Sequence, residues 1–574
     1  MSCWLLACVG LSLFLLLAWR AVGLIRWRWR RTGALELVLS GPLPDLPAAG
    51  GLRGWLRRNT GPDLAGVLGL LDTVSRDPKI ETLVVRVEHL ECGLGRAEEL
   101  RAALARCRDA GKKVILHADD LGLAGYWLAL GASSIRLPPT GSLNVSGVAM
   151  EFTLLEGVLA RAGVRAQLLA RGKYKSMREM FTASRMSDEN REMLTSLVSA
   201  LNRELVERCA AARNLSVEAA LALIDTGPFR AEEALDSGLI DATQYVDQLS
   251  EEVGVEQGKV QSVSAYRRAL RRGRLWRPRA TAVALLGVTG NIRSGHDRPG
   301  ANGPRATGHL SFRRALRRAV KSPKLRAIVL RVDSPGGSAL ASDLMWRELT
   351  IAAKKKPIFV SMVNVAASGG YYTSALPGVR VWAQPTTLTG SIGVVGGKFE
   401  VSQLLSKLGI GRETIASGPR AGFHTVTAPW SPEELAKVER DIEAAYRDFV
   451  GKMAEARGLS FEALERVAQG RVWTGRQALE ASLVDSLGGL WEVQAALREE
   501  LSLPAGAPIR WVQASTPRGL RPRRGDDDAG LSLVLGEWLQ AYLPGMSEAL
   551  ELAADLGGER LFALSPVYPK RHGG

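Results

Sequence analysis

Val84-Val85-Arg86-Val87-Glu88 and Val329-Leu330-Arg331-Val332-Asp333 are one apolar strand pattern written twice, about 245 positions apart. The same shift, to within one residue, lays Ala124-Gly125-Tyr126 on Gly369-Gly370-Tyr371 and Leu239-Ile240-Asp241 on Leu483-Val484-Asp485. A period this long is no solenoid unit; it describes two homologous domains of roughly 220 residues, each able to bury its own core. The order of elements around the quoted stretch repeats as well. Each copy opens on a short apolar strand (Leu35 to Leu39; Ala282 to Val288). A Gly/Pro-rich stretch and an amphipathic helix lead to the quoted strand (Thr82 to Val87; Ala327 to Val332), and a second helix leads to a third strand (Lys113 to His117; Ile358 to Met362). The latter part of each copy is helical, as in Asp188 to Arg213 and Ser431 to Arg457. Ser431-Pro432-Glu433-Glu434 supplies an N-cap, a proline at the first position and a glutamate at the third. Strands alternating with helices predict α/β domains with a largely parallel sheet.

The expected division is a segment 1–31, a first domain 35–253, an arginine-rich linker 254–280, a second domain 281–497 and a partly disordered tail 498–574. At 574 residues the chain exceeds what one core organises. The net charge of +16 permits an anionic partner without choosing between nucleic acid and a membrane surface. Seven arginines between Arg267 and Arg279 concentrate that charge at the join. Almost no aromatic residue is interleaved there to stack bases, so the stretch reads as a solvated helix or a membrane-facing patch, and no nucleic-acid partner is expected. Cys3, Cys8, Cys92, Cys107 and Cys209 lack metal-type spacing and are expected as free thiols; no metal is expected. Asn291 to Gly308, rich in Gly, Pro and Arg, reads as a mobile loop, and Arg521 to Asp528 as a disordered linker.

Trp4 to Trp19 is an uncharged, mainly apolar run, extended past Arg20 by Ala21 to Ile25. A helix needs about 20 such residues to cross a bilayer. Trp27 and Trp29, set among Arg26, Arg28, Arg30 and Arg31, suit the headgroup interface. One N-terminal transmembrane helix is therefore predicted; the basic n-region of a cleaved signal peptide is missing. The basic residues after the run favour a cytoplasmic location for the two domains.

The two copies differ where chemistry is expected. The second carries Ala367-Ser368-Gly369-Gly370, where the first has Gly122-Leu123-Ala124-Gly125 and no hydroxyl. The first carries Gly172-Lys173-Tyr174-Lys175-Ser176, where the second has Gly418-Pro419-Arg420-Ala421-Gly422 and no lysine. A lone Ser-Gly-Gly is usually a turn and a lone Lys-x-Lys is usually solvated; complementary loss at aligned positions lifts both. Asp333-Ser334-Pro335-Gly336-Gly337 joins strand to helix, and paired glycines there let backbone N–H groups approach an oxyanion. Thr389-Gly390-Ser391-Ile392-Gly393 offers a further hydroxyl in a glycine-rich turn. A serine needs a base. None of the six histidines sits in a triad-like motif, and His424 is the weak alternative. A lysine serves if burial lowers its pKa from about 10.4. Lys173 and Lys175 would point the same way in an extended loop, so spacing leaves both open.

These residues closely resemble the signal peptide peptidase SppA family in its long, duplicated, membrane-anchored form, over about Leu35 to Leu497. The motifs that carry the resemblance are Leu330 to Ser338, Ala366 to Tyr371, Leu388 to Gly393 and Tyr174-Lys175-Ser176. The resemblance implies two tandem ClpP/crotonase-like domains. It implies Ser368 as nucleophile, Lys175 rather than Lys173 as general base, Ser391 as an aid to the lysine, and an oxyanion held by backbone N–H groups of Gly336, Gly337 and Gly369. It further implies no cofactor, signal-peptide remnants as substrates, contact with membrane lipid, and a homo-oligomer, with a tetramer expected. Placement at the bacterial inner membrane with periplasmic domains is also implied, against the charge pattern after the anchor. One extra residue between the serine motif and Thr389-Gly390-Ser391 departs from the family pattern and weakens the case for Ser391. The competing readings are a crotonase-type acyl-CoA enzyme, which would need catalytic carboxylates, and a non-catalytic membrane scaffold. Val394 and Val395 are expected among the walls of subsites for small or apolar side chains.

Overall fold

The computed structural model describes residues 33–45, 63–254, 260–267, 280–300, 303–514 and 562–564. The expected membrane helix falls outside them. Among the described residues no helix is long and apolar enough to cross a membrane.

Six parallel strands lie in the same order in each half, and in the second Leu388–Gly390 and its antiparallel partner Val472–Thr474 extend the same sheet. In the first, Val260–Ser262, Ala34–Pro42, Thr82–Glu91, Lys113–Ala118, Ser134–Leu137 and Ala242–Thr243 lie side by side. In the second the order is Ile509–Gln513, Thr281–Thr289, Leu325–Ser334, Ile358–Ala367, Val381–Ala383 and Ser486–Leu487. The expected tandem α/β architecture is thus observed. Val260–Ser262 and Ile509–Gln513 come from stretches expected as linker and tail. Each pairs with the opening strand of its sheet and covers what would otherwise be an exposed edge.

The residues that reveal the repeat perform the same tasks twice. The Tyr126 hydroxyl donates to the Leu239 carbonyl at 3.1 Å, and the Tyr371 hydroxyl to the Leu483 carbonyl at 2.8 Å. Asp241 accepts from the Ile135 N–H and from Arg213; Asp485 accepts from the Val381 N–H and from Arg457. The helix Asp188–Arg213 is capped by Ser187, and Pro432–Arg457 by the expected Ser431/Glu434 box.

The halves share packing. Successive residues of the Leu325–Ser334 strand alternate between two cores, as period-2 geometry requires. Ala327 and Val329 join the core of the first half, whereas Ile328, Leu330 and Val332 face the helices of the second. A further sheet binds the halves through hydrogen bonds. Its order is Arg298–Gly300, Gly303–Gly308, Asn291–Arg293, Gly336–Ser338, Phe562–Leu564, Val394–Glu400 and Arg165–Arg171. The last strand belongs to the first half and runs antiparallel to Val394–Glu400, from Arg171 opposite Val394 to Arg165 opposite Glu400.

Asn291 to Gly308, expected as a mobile loop, instead supplies three strands of this sheet. Glycine in the facing strand Gly336–Ser338 permits close backbone pairing. A Cβ on Gly337 would lie 2.0 Å from the Ile292 carbonyl oxygen.

Candidate active site

Lys175 reaches the second half because the strand before it, Arg165–Arg171, is part of the shared sheet. Gly172 turns the chain at φ 108°, and the Tyr174 N–H donates to the Gln469 carbonyl at 2.9 Å. A Cβ on Gly470 would lie 2.5 Å from the Lys175 nitrogen, so glycine there lets the two backbones touch. A short 3₁₀ turn, Ser176–Arg178, comes immediately after. Lys173 and Lys175 are therefore not on one extended strand, and they part. Lys173 is exposed, with its ammonium 4.8 Å from the centre of the Tyr174 ring, while Lys175 is 1% exposed. Burial holds the Lys175 amine well below the ordinary lysine range.

Ser368 closes the Ile358–Ala367 strand and precedes the helix Gly369–Ser374. Its backbone sits at φ 55°, ψ −114°, a strained conformation for a residue with a side chain. Two hydrogen bonds hold it there. Its N–H donates to the Gly390 carbonyl at 2.7 Å, and its carbonyl accepts from the Tyr372 N–H at 2.8 Å. A Cβ on Gly370 would lie 2.5 Å from the Ser334 carbonyl oxygen, so glycine lets the helix after Ser368 lie against the start of the Ser-Pro-Gly-Gly turn. Ser368 is fully buried and its Oγ lies 2.7 Å from Lys175 Nζ.

Lys175 Nζ also meets the Ser391 carbonyl at 3.0 Å and Ser391 Oγ at 3.1 Å. A neutral amine has two hydrogens and one lone pair. With both hydrogens on Ser391, the lone pair is left for the Ser368 hydroxyl, so the group can accept that proton. Gly336 and Gly337, at φ 112° and 149°, make the turn beside it. Ser334 Oγ braces this turn, donating to the Gly290 carbonyl at 2.6 Å and accepting from the Gly336 N–H at 3.2 Å. Of the three expected oxyanion donors, the Gly336 N–H thus already has a partner, Gly337 is paired in the sheet between Ile292 and Ala563, and Gly369 opens the helix Gly369–Ser374. His424 packs edge-on against Phe423, with ring centres 4.9 Å apart. Val394 and Val395 are both buried, the first in the second-half core and the second against Leu168, Met177 and Phe181.

A charged cluster at the join was not anticipated. Arg331, 1% exposed, meets Glu99 at 2.5 Å, Asp45 at 3.0 Å and Ser361 Oγ at 2.7 Å. Arg96 bridges Asp45 at 3.3 Å and Asp333 at 2.9 Å. Burial alone would raise Asp45, but Arg331 and Arg96 outweigh it and hold the carboxyl below its usual range. At Glu99 burial wins over Arg331 and pushes the carboxyl up. One signal was present in the sequence: an arginine sits in the middle of the apolar strand in both copies.

The family model described as peptidase family S49 matches this chain twice, over residues 106–260 and 350–503. The chloroplastic serine protease SPPA of Arabidopsis thaliana is 32% identical over 506 residues, covering 85% of this chain and 72% of that protein. Protease 4 of Salmonella typhi is 32% identical over 483 residues, covering 79% and 76%. A solved ClpP1 mutant from Listeria monocytogenes aligns with a TM-score of 0.23 and 14% identity, over 36% of this chain and 91% of that one. With two family matches, one in each half, the chain belongs to peptidase family S49 and is a serine peptidase.

Proposed function

We propose that the protein is a membrane-anchored endopeptidase that degrades cleaved signal peptides and similar short apolar peptides through a Ser368–Lys175 dyad. One observation carries the dyad: a fully buried hydroxyl and a buried, pKa-lowered amine 2.7 Å apart, supplied by different halves of the chain. Neutral Lys175 takes the Ser368 proton as Oγ bonds to the peptide carbonyl carbon, and the carbonyl π pair moves onto oxygen. Backbone N–H groups of Gly336, Gly337 and Gly369 are the proposed donors to that oxyanion. The oxyanion collapses, the C–N bond breaks, and the lysine ammonium gives its proton to the leaving amine. Water then attacks the ester, losing a proton to Lys175, and Ser368 regains one. Ser391 keeps the amine aimed. Substrate enters as an extended strand between Gly336–Ser338 and Val394–Glu400. Support comes from Phe562–Leu564, which pairs antiparallel with both of those strands.

The apolar run before residue 32 is the proposed anchor at the bacterial inner membrane, in contact with lipid and with the catalytic halves on the periplasmic side. The proposed assembly is a homo-tetramer, and residues 35–253 and 281–497, extended by their edge strands, are the proposed domains. Protease protection on spheroplasts tests the orientation: proteolysis of the catalytic halves from outside supports it, and protection overturns it.

A fluorophosphonate probe tests the nucleophile. Mass-spectrometric mapping is expected to find the adduct on Ser368, with no labelling of Ser368→Ala. An adduct on Ser391, or persistent labelling of the variant, overturns the assignment.

A further inference from the structure

Asp333 lies where two strands part. The pairing of Leu325–Ser334 with Ile358–Ala367 runs in step to Val332 opposite Met362, then resumes at Ser334 opposite Ala366. The residues Val363-Asn364-Val365 bulge out across from Asp333, and the Asp333 carboxylate fills the gap. One oxygen accepts from the Val365 N–H at 3.2 Å, and the other from the Asn364 side-chain N–H at 3.0 Å. Immediately beyond this gap one strand becomes the Ser334-Pro335-Gly336-Gly337 turn, and the other reaches Ser368 three residues after Val365. Asp333 thus ties the turn to the serine.

The first half grips this tie. Arg96 donates to Asp333 at 2.9 Å, and its backbone N–H donates to the Asn364 side-chain oxygen at 3.3 Å. Gly93 and Gly95 let the helix Leu94–Asp109 press on the bulge: a Cβ on Gly95 would lie 2.4 Å from the Val363 carbonyl oxygen. Arg96 and Glu99 lie one turn apart on that helix, opposite Asp333 and Arg331, which share one face of a strand. The two pairs are opposite in polarity, so a slip of the helix brings like charges together and is disfavoured. No reciprocal link exists among the described residues. The helix Ala339–Ala353 of the second half carries Ala341 where the first half carries Arg96, and Glu88, aligned with Asp333, pairs with Arg86.

On the Ser368–Lys175 reading of the site, we propose that Arg96 is a positioning residue. It docks the half that brings Lys175 and, through Asp333, sets the spacing between the oxyanion turn and Ser368. Removing its charge leaves the peptide groove intact but misplaces the reacting groups.

The full chain is assayed with a short apolar fluorogenic peptide, well below its melting temperature, as wild type, Arg96→Met, Arg96→Lys, Arg101→Ala and Ser368→Ala. Arg101 pairs with Glu98 on the same helix, within the first half, and serves as the control. Arg96→Met is expected to lower kcat roughly tenfold to a hundredfold, as misplacement of reacting groups does. KM should stay within about twofold, and labelling of Ser368 by the fluorophosphonate should slow in parallel. Arg96→Lys, which keeps the charge but cannot hold Asp45 and Asp333 in one fork, is expected to fall between; it carries the same kcat-against-KM split should Arg96→Met fail to fold. Arg101→Ala should lower the melting temperature and leave kcat alone. A wild-type kcat in Arg96→Met, or a raised KM at unchanged kcat, overturns the proposal. Turnover by Ser368→Ala would instead overturn the dyad, so the two failures are distinguishable.

Discussion

Lys175→Met is expected to lose peptide cleavage by about 10⁴-fold or more, while Lys173→Ala keeps most of it. Methionine preserves the apolar stem that fills the buried site and removes the only group within reach of Ser368 Oγ among its described hydrogen-bond partners. Lys173 lies outside, over the Tyr174 ring. The pH dependence comes from the lowered amine pKa. Activity requires the neutral amine, so kcat/KM should rise with pH through that lowered value and be on its plateau well below the ordinary lysine pKa of about 10.4. Stability moves in a linked way. Above about 10.4 the amine is neutral in both folded and unfolded chains and contributes no slope. As pH falls from there towards the lowered folded value, only the unfolded chain takes up the proton, and the fold loses stability; below the folded value the loss is complete. Methionine has no such proton. The difference in melting temperature between Lys175→Met and wild type should therefore shift in favour of the variant as pH falls from about 10 towards neutrality. A flat difference across that range, or retained cleavage, would sink the assignment.

Arg331→Met is expected to cost about 3–5 kcal/mol of stability, the range for removing one partner of a buried ion pair. Its guanidinium is 1% exposed and satisfies Glu99, Asp45 and Ser361 together. Without it Glu99 keeps, among the described residues, the long Leu490 N–H contact at 3.4 Å, and Asp45 keeps Arg96. The cost falls on docking of the halves, because Asp45 and Glu99 come from the first and Arg331 from the second. Chemical denaturation should show it as an earlier transition, with cleavage lost in the same step because the proposed dyad spans both halves. Adding Glu99→Leu should recover part of the loss, since a buried charge without its partner costs more than an apolar side chain in its place. Unchanged denaturation of the single variant would mean that the Arg331 cluster adds nothing to docking of the halves.

Much of this architecture was readable because its causes are local. The strands at 82–91 and 325–334 declare themselves by apolar runs, and Pro432–Arg457 by its capping box. The aligned Tyr, Leu and Asp triplets marked the duplication, and each keeps its bonding task in both halves. The unread parts are those in which one segment is decided by a distant one. Asn291 to Gly308 has loop composition, yet Gly337 accepts Ile292 at backbone distance and makes it a strand. Val260–Ser262 and Ile509–Gln513 carry too few residues for a pattern and become strands because an edge awaits them. Arg331 and Asp333 look like ordinary strand polar residues until a helix of the other half is laid across them.

The residues alone determined which groups are present and where the backbone can bend: a serine with glycines behind it, a Gly-Gly turn after an apolar strand, and a lysine kept by only one copy. Those are properties of side chains and φ angles, and they survive without knowledge of the rest of the chain. Only the folded chain decided that Lys175, 193 positions from Ser368, stands 2.7 Å from it and is shut away from water. Pairing of Arg165–Arg171 with Val394–Glu400 sets that distance, and packing of one half on the other strips the amine of its hydration. Strand pairing and desolvation depend on what surrounds a residue in space, which its sequence neighbours do not specify.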